Sequence, residues 1–269
     1  MKKIIVIFSL SHLFHIICFA QGEIDGQQKI LYRNEQSIGF LLSSNGLGLN
    51  LLYGKRINIF KKNIYVIDFV EIKHPKEIKT TNPYLLNNRS FVFGKLNSFY
   101  NIRFGMGVQK EIFRKFDLGG IAIRHFYTFG PSLGLKKPIY YEVLYPMLSY
   151  TSAKIEIEKF SSSIHRASDI YGRASFFEGI VETKLTPGAF FKFGLNFEYS
   201  SLDELIHALE AGIVVDAYIK KIPIMAIEKN SQLFFAMFIS YRFGRIIDAK
   251  AKKKKFIFKP DFNEYEMGR

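Results

Sequence analysis

The sequence is poor in the residue types from which disulfides and metal sites are built. Its 269 residues include a single cysteine, Cys18, so no internal disulfide can form. It contains no HExxH motif, no CxxC pair and no aspartate-rich calcium loop. A glycine-rich phosphate-binding loop is also missing. The sequence therefore predicts no metal site and no cofactor.

The N-terminus has the architecture of a secretory signal peptide. Met1-Lys2-Lys3 is followed by an apolar run from Ile4 to Phe19 and then by Ala20. A positive start, an apolar centre and a small residue before the cut are typical of such signals. We predict cleavage after Ala20, which also removes Cys18. A lipoprotein is disfavoured because Ile17 precedes the cysteine where a small residue is needed, and serines and histidines within the run disfavour a retained anchor.

Long apolar runs are missing from the rest of the chain. No stretch approaches the ~20 apolar residues that a membrane-spanning helix needs. The formal net charge of +14, with 28 Phe and 15 Tyr, is a combination also found in nucleic-acid-binding proteins. Export argues against that class, and we expect no nucleic-acid partner.

Alternation of apolar and polar residues is the strongest internal pattern. In residues 189–199 the odd positions are apolar, whereas Lys192, Gly194 and Glu198 lie between them. Residues 231–243 and 100–108 alternate in the same way. Successive side chains of a strand point to opposite faces, so each segment predicts a strand with one apolar face.

The lengths and faces of these segments favour a membrane barrel over a soluble periplasmic β-sandwich. Most segments run 9–14 residues, against ~5–6 for soluble strands and ~9–11 for strands that cross a bilayer. Their apolar faces are rich in aromatics, as in the lipid-facing band of a barrel. We therefore predict an all-β fold, a closed antiparallel transmembrane β-barrel.

About ten strands are expected, within a range of 8–12. The segments are 38–43, 46–55, 63–72, 98–109, 119–129, 137–145, 176–185, 188–199, 205–219 and 231–243. Residues 119–145 could also form one long strand, because the apolar phase does not break there, which would make nine. Bacterial single-chain barrels have even strand numbers, so ten is preferred.

The predicted organisation has four parts: a signal peptide at 1–20, an N-terminal periplasmic segment at 21–36, the barrel at 37–244 and a basic tail at 245–269. A periplasmic N-terminus places the connection 73–97 outside the cell, whereas the side of 146–175 stays open. The tail contains Lys252-Lys253-Lys254-Lys255. Such a charge run is usually solvated, and the alternative is contact with anionic lipid head groups.

Several segments resemble uncharacterised outer-membrane β-barrel proteins of Bacteroidota. They are the signal end Phe19-Ala20-Gln21, KHPKEIK at 73–79, FGKLN at 93–97, GPSLGLKKP at 130–138 and VDAY at 215–218. The resemblance covers roughly residues 60–245 and implies a location and a fold without an activity. The last strand, ending in Tyr241 and Phe243, also resembles the signal read by the barrel-assembly machinery. That machinery and outer-membrane lipid are the expected partners.

The histidines downstream of Ala20 give no catalytic pattern. An acyl hydrolase needs a serine, a histidine and an orienting polar partner on one face. His125 and His207 lie in phase with apolar positions, which favours the membrane interface. His165 follows a serine run in a long connection, and His74 precedes a proline, which favours a turn. We predict no catalytic residue.

The polar faces predict a network of opposite charges inside the barrel. Its members are Arg103, Arg124, Lys192, Arg242, Glu142, Glu198, Glu210 and Asp216. Buried charges must be paired, and a narrow barrel has room for little else. We expect a non-enzymatic binding or envelope-organising barrel with a charge-filled lumen. The alternatives are a barrel-embedded enzyme that modifies lipid A or phospholipid, and a narrow transporter.

Overall fold

The computed structural model describes residues 33–85, 89–115, 120–146, 153–200, 205–226 and 230–248. The predicted signal peptide, its cleavage site after Ala20 and the lysine run at 252–255 lie outside the described residues. No helix long and apolar enough to cross a membrane occurs in the described part of the chain.

Eight long antiparallel strands close into a barrel in the order β1-β13-β12-β11-β7-β6-β3-β2. Numbered in chain order, they are β1 (Arg33–Ser43), β2 (Gly46–Arg56), β3 (Lys61–Ile72), β6 (Asn97–Phe113), β7 (Ala122–Pro138), β11 (Lys184–Glu198), β12 (Leu205–Tyr218) and β13 (Leu233–Asp248). Barrel strands thus run from 33 to 248, against the expected 37–244. Five shorter strands lie in the connections: β4 (Lys79–Thr80), β5 (Phe91–Val92), β8 (Tyr140–Pro146), β9 (Ala153–Lys159) and β10 (Ile170–Arg173).

The barrel strands turn their apolar faces outwards. On β13, Phe235 is 62% exposed, whereas Ser240 on the other face is fully buried. The exposed face continues around the barrel on every strand, and we call this surface the apolar belt. Its exposed members include Phe40, Leu49, Ile67, Phe69, Phe104, Met106, Phe129, Phe191, Leu209, Phe235, Met237 and Ile239. This pattern is the reverse of a soluble fold, in which the apolar face is buried.

The expected count of ten barrel strands is wrong, because two of the ten segments lie outside the barrel. β7 runs unbroken through Gly130-Pro131-Ser132 to Pro138, and the apolar phase continues with it. Segment 137–145 mostly becomes β8, which forms a separate three-stranded sheet of order β10-β8-β9. Segment 176–185 consists mostly of turns closed by local backbone hydrogen bonds, such as the one from Glu178 N–H to Ser175 C=O at 3.2 Å. A turn of this kind has no neighbouring strand to pair with.

The two ends of the barrel differ in the length of their connections. Residues 33 and 248 lie at one end, with the connections 57–60, 114–121 and 199–204. The connections at the other end are 44–45, 73–96, 139–183 and 219–232. The long connections around 73–97 and 146–175 therefore share one end, which we call the loop end.

Candidate functional site

The centre of the barrel interior holds a salt bridge between strands that are not neighbours. Arg103 on β6 and Asp216 on β12 are each 1% exposed, and β7 and β11 separate their strands. Nε and Nη2 of Arg103 donate to the two carboxylate oxygens of Asp216 at 2.8 and 2.7 Å. Nδ2 of Asn101 donates to the same carboxylate at 2.9 Å. A two-pronged contact of this kind is among the stronger and more directional hydrogen-bonding arrangements.

Asp68 on β3 joins a second interior cation to this pair. Nζ of Lys192 donates to Asp68 Oδ2 at 3.2 Å, and Nη1 of Arg103 lies 3.7 Å from the same oxygen. The two cations and the carboxylates of Asp68 and Asp216 thus form one buried cluster. The sequence did not single out Asp68 because both faces of β3 are apolar around it. The available signal was a single acid on a face of β3 that is otherwise apolar from Ile64 to Ile72.

Further ion pairs fill the interior towards the end opposite the loop end. Nη2 of Arg242 donates to Glu210 at 2.8 Å, and Asn196 donates to the other oxygen of that carboxylate at 3.0 Å. Arg124 pairs with Glu198, and its Nε lies 3.6 Å from Glu111. All these cations are less than a tenth exposed. The interior is therefore crossed by charge pairs at more than one level.

Seven of the eight predicted network residues face the interior, and Glu142 does not. Glu142 lies on β8, outside the barrel, where its carboxylate is 3.2 Å from Nη1 of Arg89. Its place in the network was wrong because segment 137–145 is not a barrel strand. The interior also contains charged residues that the sequence did not name, among them Glu35 and Lys62, which pair with each other, Asp68 and Glu111.

An apolar plug fills the interior at the loop end. Phe99 packs against Tyr218 and Phe234, with ring centroids 5.2 and 5.7 Å apart. Ile222 and Ile224 from the β12–β13 connection are each 1% exposed within the same cluster. The carbonyl of Ile224 accepts the N–H of Leu96 at 2.9 Å, which ties this connection to the start of β6.

The two long connections form a second folded unit next to the plug, and we call residues 73–96 and 139–173 of this unit the loop cap. It has its own core, made of Phe91, Ile139, Tyr141, Val143, Phe160 and Ile170. The rings of Tyr141 and Phe160 meet edge to face at 5.6 Å. Asn82 Nδ2 donates to the carbonyls of Ser168 and Ile170 at 2.7 and 3.0 Å, which joins the two connections. Burial raises the pKa of the Tyr141 hydroxyl.

The histidine rings make structural contacts. His165 accepts the N–H of Ser161 at Nδ1, at 3.1 Å, and its Nε2 lies 3.1 Å from Glu158. The ring of His207 faces the hydroxyl of Tyr241 at 3.1 Å. Among the described residues no hydrogen bond joins a serine hydroxyl to a histidine ring, and no cluster of His, Cys, Asp or Glu is arranged to hold a metal ion.

No protein-family model matches the chain, and no curated protein matches its sequence. Solved structures of other barrels are similar to it. Ail, the attachment invasion locus protein of Yersinia pestis, in complex with the heparin analogue sucrose octasulfate, is 11% identical with a TM-score of 0.40, covering 81% of this chain and 100% of that one. Neisserial surface protein A is 8% identical with a TM-score of 0.35, covering 80% and 96%.

The N-terminal β-barrel domain of Pseudomonas aeruginosa OprF is also 8% identical with a TM-score of 0.35, covering 80% of this chain and 99% of that one. These three neighbours are outer-membrane β-barrel proteins. At such identities and TM-scores the similarities carry no argument about function.

Proposed function

We propose that this protein is an outer-membrane β-barrel that does not conduct and that presents its loop cap outside the membrane as a binding surface. The apolar belt supports the membrane location, because soluble monomers rarely expose a contiguous apolar surface of this extent. The strands have 11–17 residues, enough to cross a bilayer with a tilt. Residues 33 and 248, where the described barrel begins and ends, lie at the same end as the connections 57–60, 114–121 and 199–204, and we assign this end to the periplasm.

The filled interior is the observation that carries the non-conducting part of this proposal. The cluster of Arg103, Lys192, Asp68 and Asp216 spans the barrel, and the plug around Phe99 closes its loop end. Moving these groups aside would leave charges unpaired in a medium of low dielectric constant, which is costly. A general pore needs a water-filled lumen instead.

The binding part rests on the loop cap. Long connections in a compact domain are uncommon and are usually either functional or disordered, and this unit is folded around a hydrophobic core to which its three-stranded sheet contributes. A rigid surface loses little conformational entropy when a partner binds. We propose that the ligand meets this cap, and that the barrel serves as its anchor.

Export and assembly follow from the same proposal. Cleavage after Ala20 would release the chain into the periplasm. The last strand β13, with Tyr241 and Phe243 on its outer face, would then be read by the barrel-assembly machinery and placed among outer-membrane lipids. The segments that resemble Bacteroidota barrels support such an origin.

Conductance and location test the proposal. In planar bilayers the purified full chain should show no steady current, with a general porin as the positive control in the same membranes. Steady conductance at the porin's level would contradict a closed barrel and favour the transporter.

In fractionated cells the chain should follow the outer membrane and change its gel mobility on heating. Protease added to intact cells should cut within the loop cap, and a cap protected on intact cells but cut after lysis would contradict its outward orientation.

A further inference from the structure

Residues 174–183, which we call the rim segment, expose apolar side chains outside the barrel strands. Val181 is fully exposed, Phe177 is 77% exposed and Ile180 is 42% exposed. These residues belong neither to the apolar belt nor to the core of the loop cap. Their alternation led the sequence to predict a strand here. Phe177, Ile180 and Val181 therefore present apolar surface that neither of these described clusters covers.

The rim segment is held in one shape. Its backbone closes successive turns, among them Ile180 N–H to Phe177 C=O at 3.3 Å and Glu182 N–H to Gly179 C=O at 3.2 Å. Gly179 has φ of +75°, and a Cβ there would lie 2.7 Å from the ring of Tyr140. The carboxylate of Glu182 accepts the hydroxyl of Tyr140. The exposed apolar side chains thus project from a fixed support.

A continuous file of aromatic rings joins the apolar belt to the rim segment. Phe69 of the belt stacks on Tyr100 at 5.9 Å, Tyr100 meets Phe176 at 6.4 Å, and Phe176 meets Phe177 at 5.9 Å. On β3 the outward position after Phe69 is the charged Glu71, which pairs in register with Tyr100. The belt therefore ends at the level of Tyr100, and the rim segment lies at that edge.

We infer that the rim segment is an interfacial anchor that inserts Phe177 and Val181 into the lipid leaflet at the loop end. The inference rests on the proposed membrane location. Continuity with the apolar belt favours lipid as the partner of the rim segment. The leaflet that covers Phe69 would also reach the ring of Tyr100, which leads to the rim. Aromatic and aliphatic tips are stabilised at this depth. Arg173 and Lys184 flank the segment, where the phosphates of lipid head groups would lie.

The absence of tryptophan from the chain makes a direct test possible. Phe177→Trp places a single tryptophan at the rim, and Val181→Trp is a second probe on the same segment. Phe235→Trp marks the apolar belt. Tyr84→Trp is the matched exposed control, since Tyr84 is 81% exposed in the loop cap and lies close to Asn82, which bonds to the carbonyl of Ser168. Each full-length variant is reconstituted in phospholipid vesicles whose acyl chains carry bromine.

We expect the rim probes to emit at shorter wavelength than Tyr84→Trp and to lose emission to brominated lipid, as Phe235→Trp does. Quenching of the rim probes by aqueous iodide, without quenching by brominated lipid, would overturn the anchor. Shielding from both quenchers would overturn it too, and would indicate a protein contact such as a second copy. If brominated lipid does not quench Phe235→Trp either, the proposed membrane location is wrong. If it quenches Phe235→Trp but not the rim probes, only the anchor is wrong.

Discussion

Arg103 and Asp216 hold opposite walls of the barrel together through a salt bridge that no backbone pairing supplies. Their strands β6 and β12 are separated by β7 and β11, and the guanidinium meets both carboxylate oxygens at 2.8 and 2.7 Å. Asn101, also on β6, donates to the same carboxylate at 2.9 Å. The pair therefore links the filling of the lumen to the stability of the barrel.

Arg103→Met should destabilise the barrel strongly, because it leaves Asp216 buried with Asn101 as its remaining partner. Breaking a buried pair from one side costs about 3–5 kcal/mol. Urea unfolding of the refolded protein in detergent micelles measures the loss. Arg245→Met is the matched control, since Arg245 is exposed on β13, and surface changes usually stay within about 0.5 kcal/mol. Equal unfolding midpoints for the two variants would contradict a structural role for the interior cluster.

Gly107→Ala should reduce the folded fraction, because two strands approach closely at this position. A Cβ at Gly107 would lie 1.9 Å from the carbonyl oxygen of Tyr127 on β7, and backbone cannot move aside as a flexible side chain can. The neighbouring Met106→Ala removes a side chain from the apolar belt and serves as control. The heat-modifiable band on gels measures folding. A fully folded Gly107→Ala would contradict the close approach of β6 and β7 at this position.

Phe160→Ala should loosen the loop cap and leave the barrel folded. Phe160 is 6% exposed and meets the rings of Tyr141 and Phe93 edge to face at 5.6 and 5.5 Å. A cavity of this size costs about 3–5 kcal/mol of local stability. Limited proteolysis in detergent should then cut the cap faster, with unchanged heat-modifiable mobility. Phe177→Ala is the control, and equal cutting rates for both variants would argue against a packed cap.

Acid should weaken the loop cap around Glu158. The Tyr145 hydroxyl donates to this carboxylate at 2.9 Å, and His165 contacts it at 3.1 Å. These contacts, that of Tyr145 first, lower the pKa of Glu158 from its ordinary value of 4.5. A lowered carboxyl pKa adds stability that is complete above the ordinary value and is lost as the pH falls through the lowered one.

Hydrogen exchange of residues 153–169 measured from neutral pH downwards tests this. Protection should fall only below the ordinary carboxyl range, and Glu158→Gln should be less protected at neutral pH without the further loss in acid. Identical pH profiles for the wild type and Glu158→Gln would show that the carboxylate contributes nothing.

Period-2 alternation located all eight barrel strands, since inside and outside of a barrel differ for every successive side chain. Alternation gives a wrong prediction where the apolar residues have another role than facing lipid on a barrel strand. The apolar residues of segment 137–145 pack in the core of the loop cap, and those of the rim segment project from turns. Both segments show a strand-like pattern for reasons other than barrel pairing, and each added one strand to the count.

The interior shows the same division between local and long-range information. Arg103, Lys192 and Asp216 are recognisable as inward-facing because each lies in phase on a clearly alternating strand. Their partners are not, because pairing across the barrel depends on the register and stagger of strands far apart in sequence. Asp68 shows this, since it receives Lys192 from β11 although β6 and β7 lie between the two strands.

The amino-acid sequence by itself determined the strand periodicity, the outward apolar faces and the cationic and acidic composition of the interior, because these depend only on neighbouring residues. Tertiary structure alone decided that eight strands close the barrel, that Glu142 leaves the interior while Asp68 enters it, and that the long connections share one end and pack into a cap. Closure, pairing and packing bring together residues more than a hundred positions apart, such as Arg103 and Asp216. No local pattern encodes that distance.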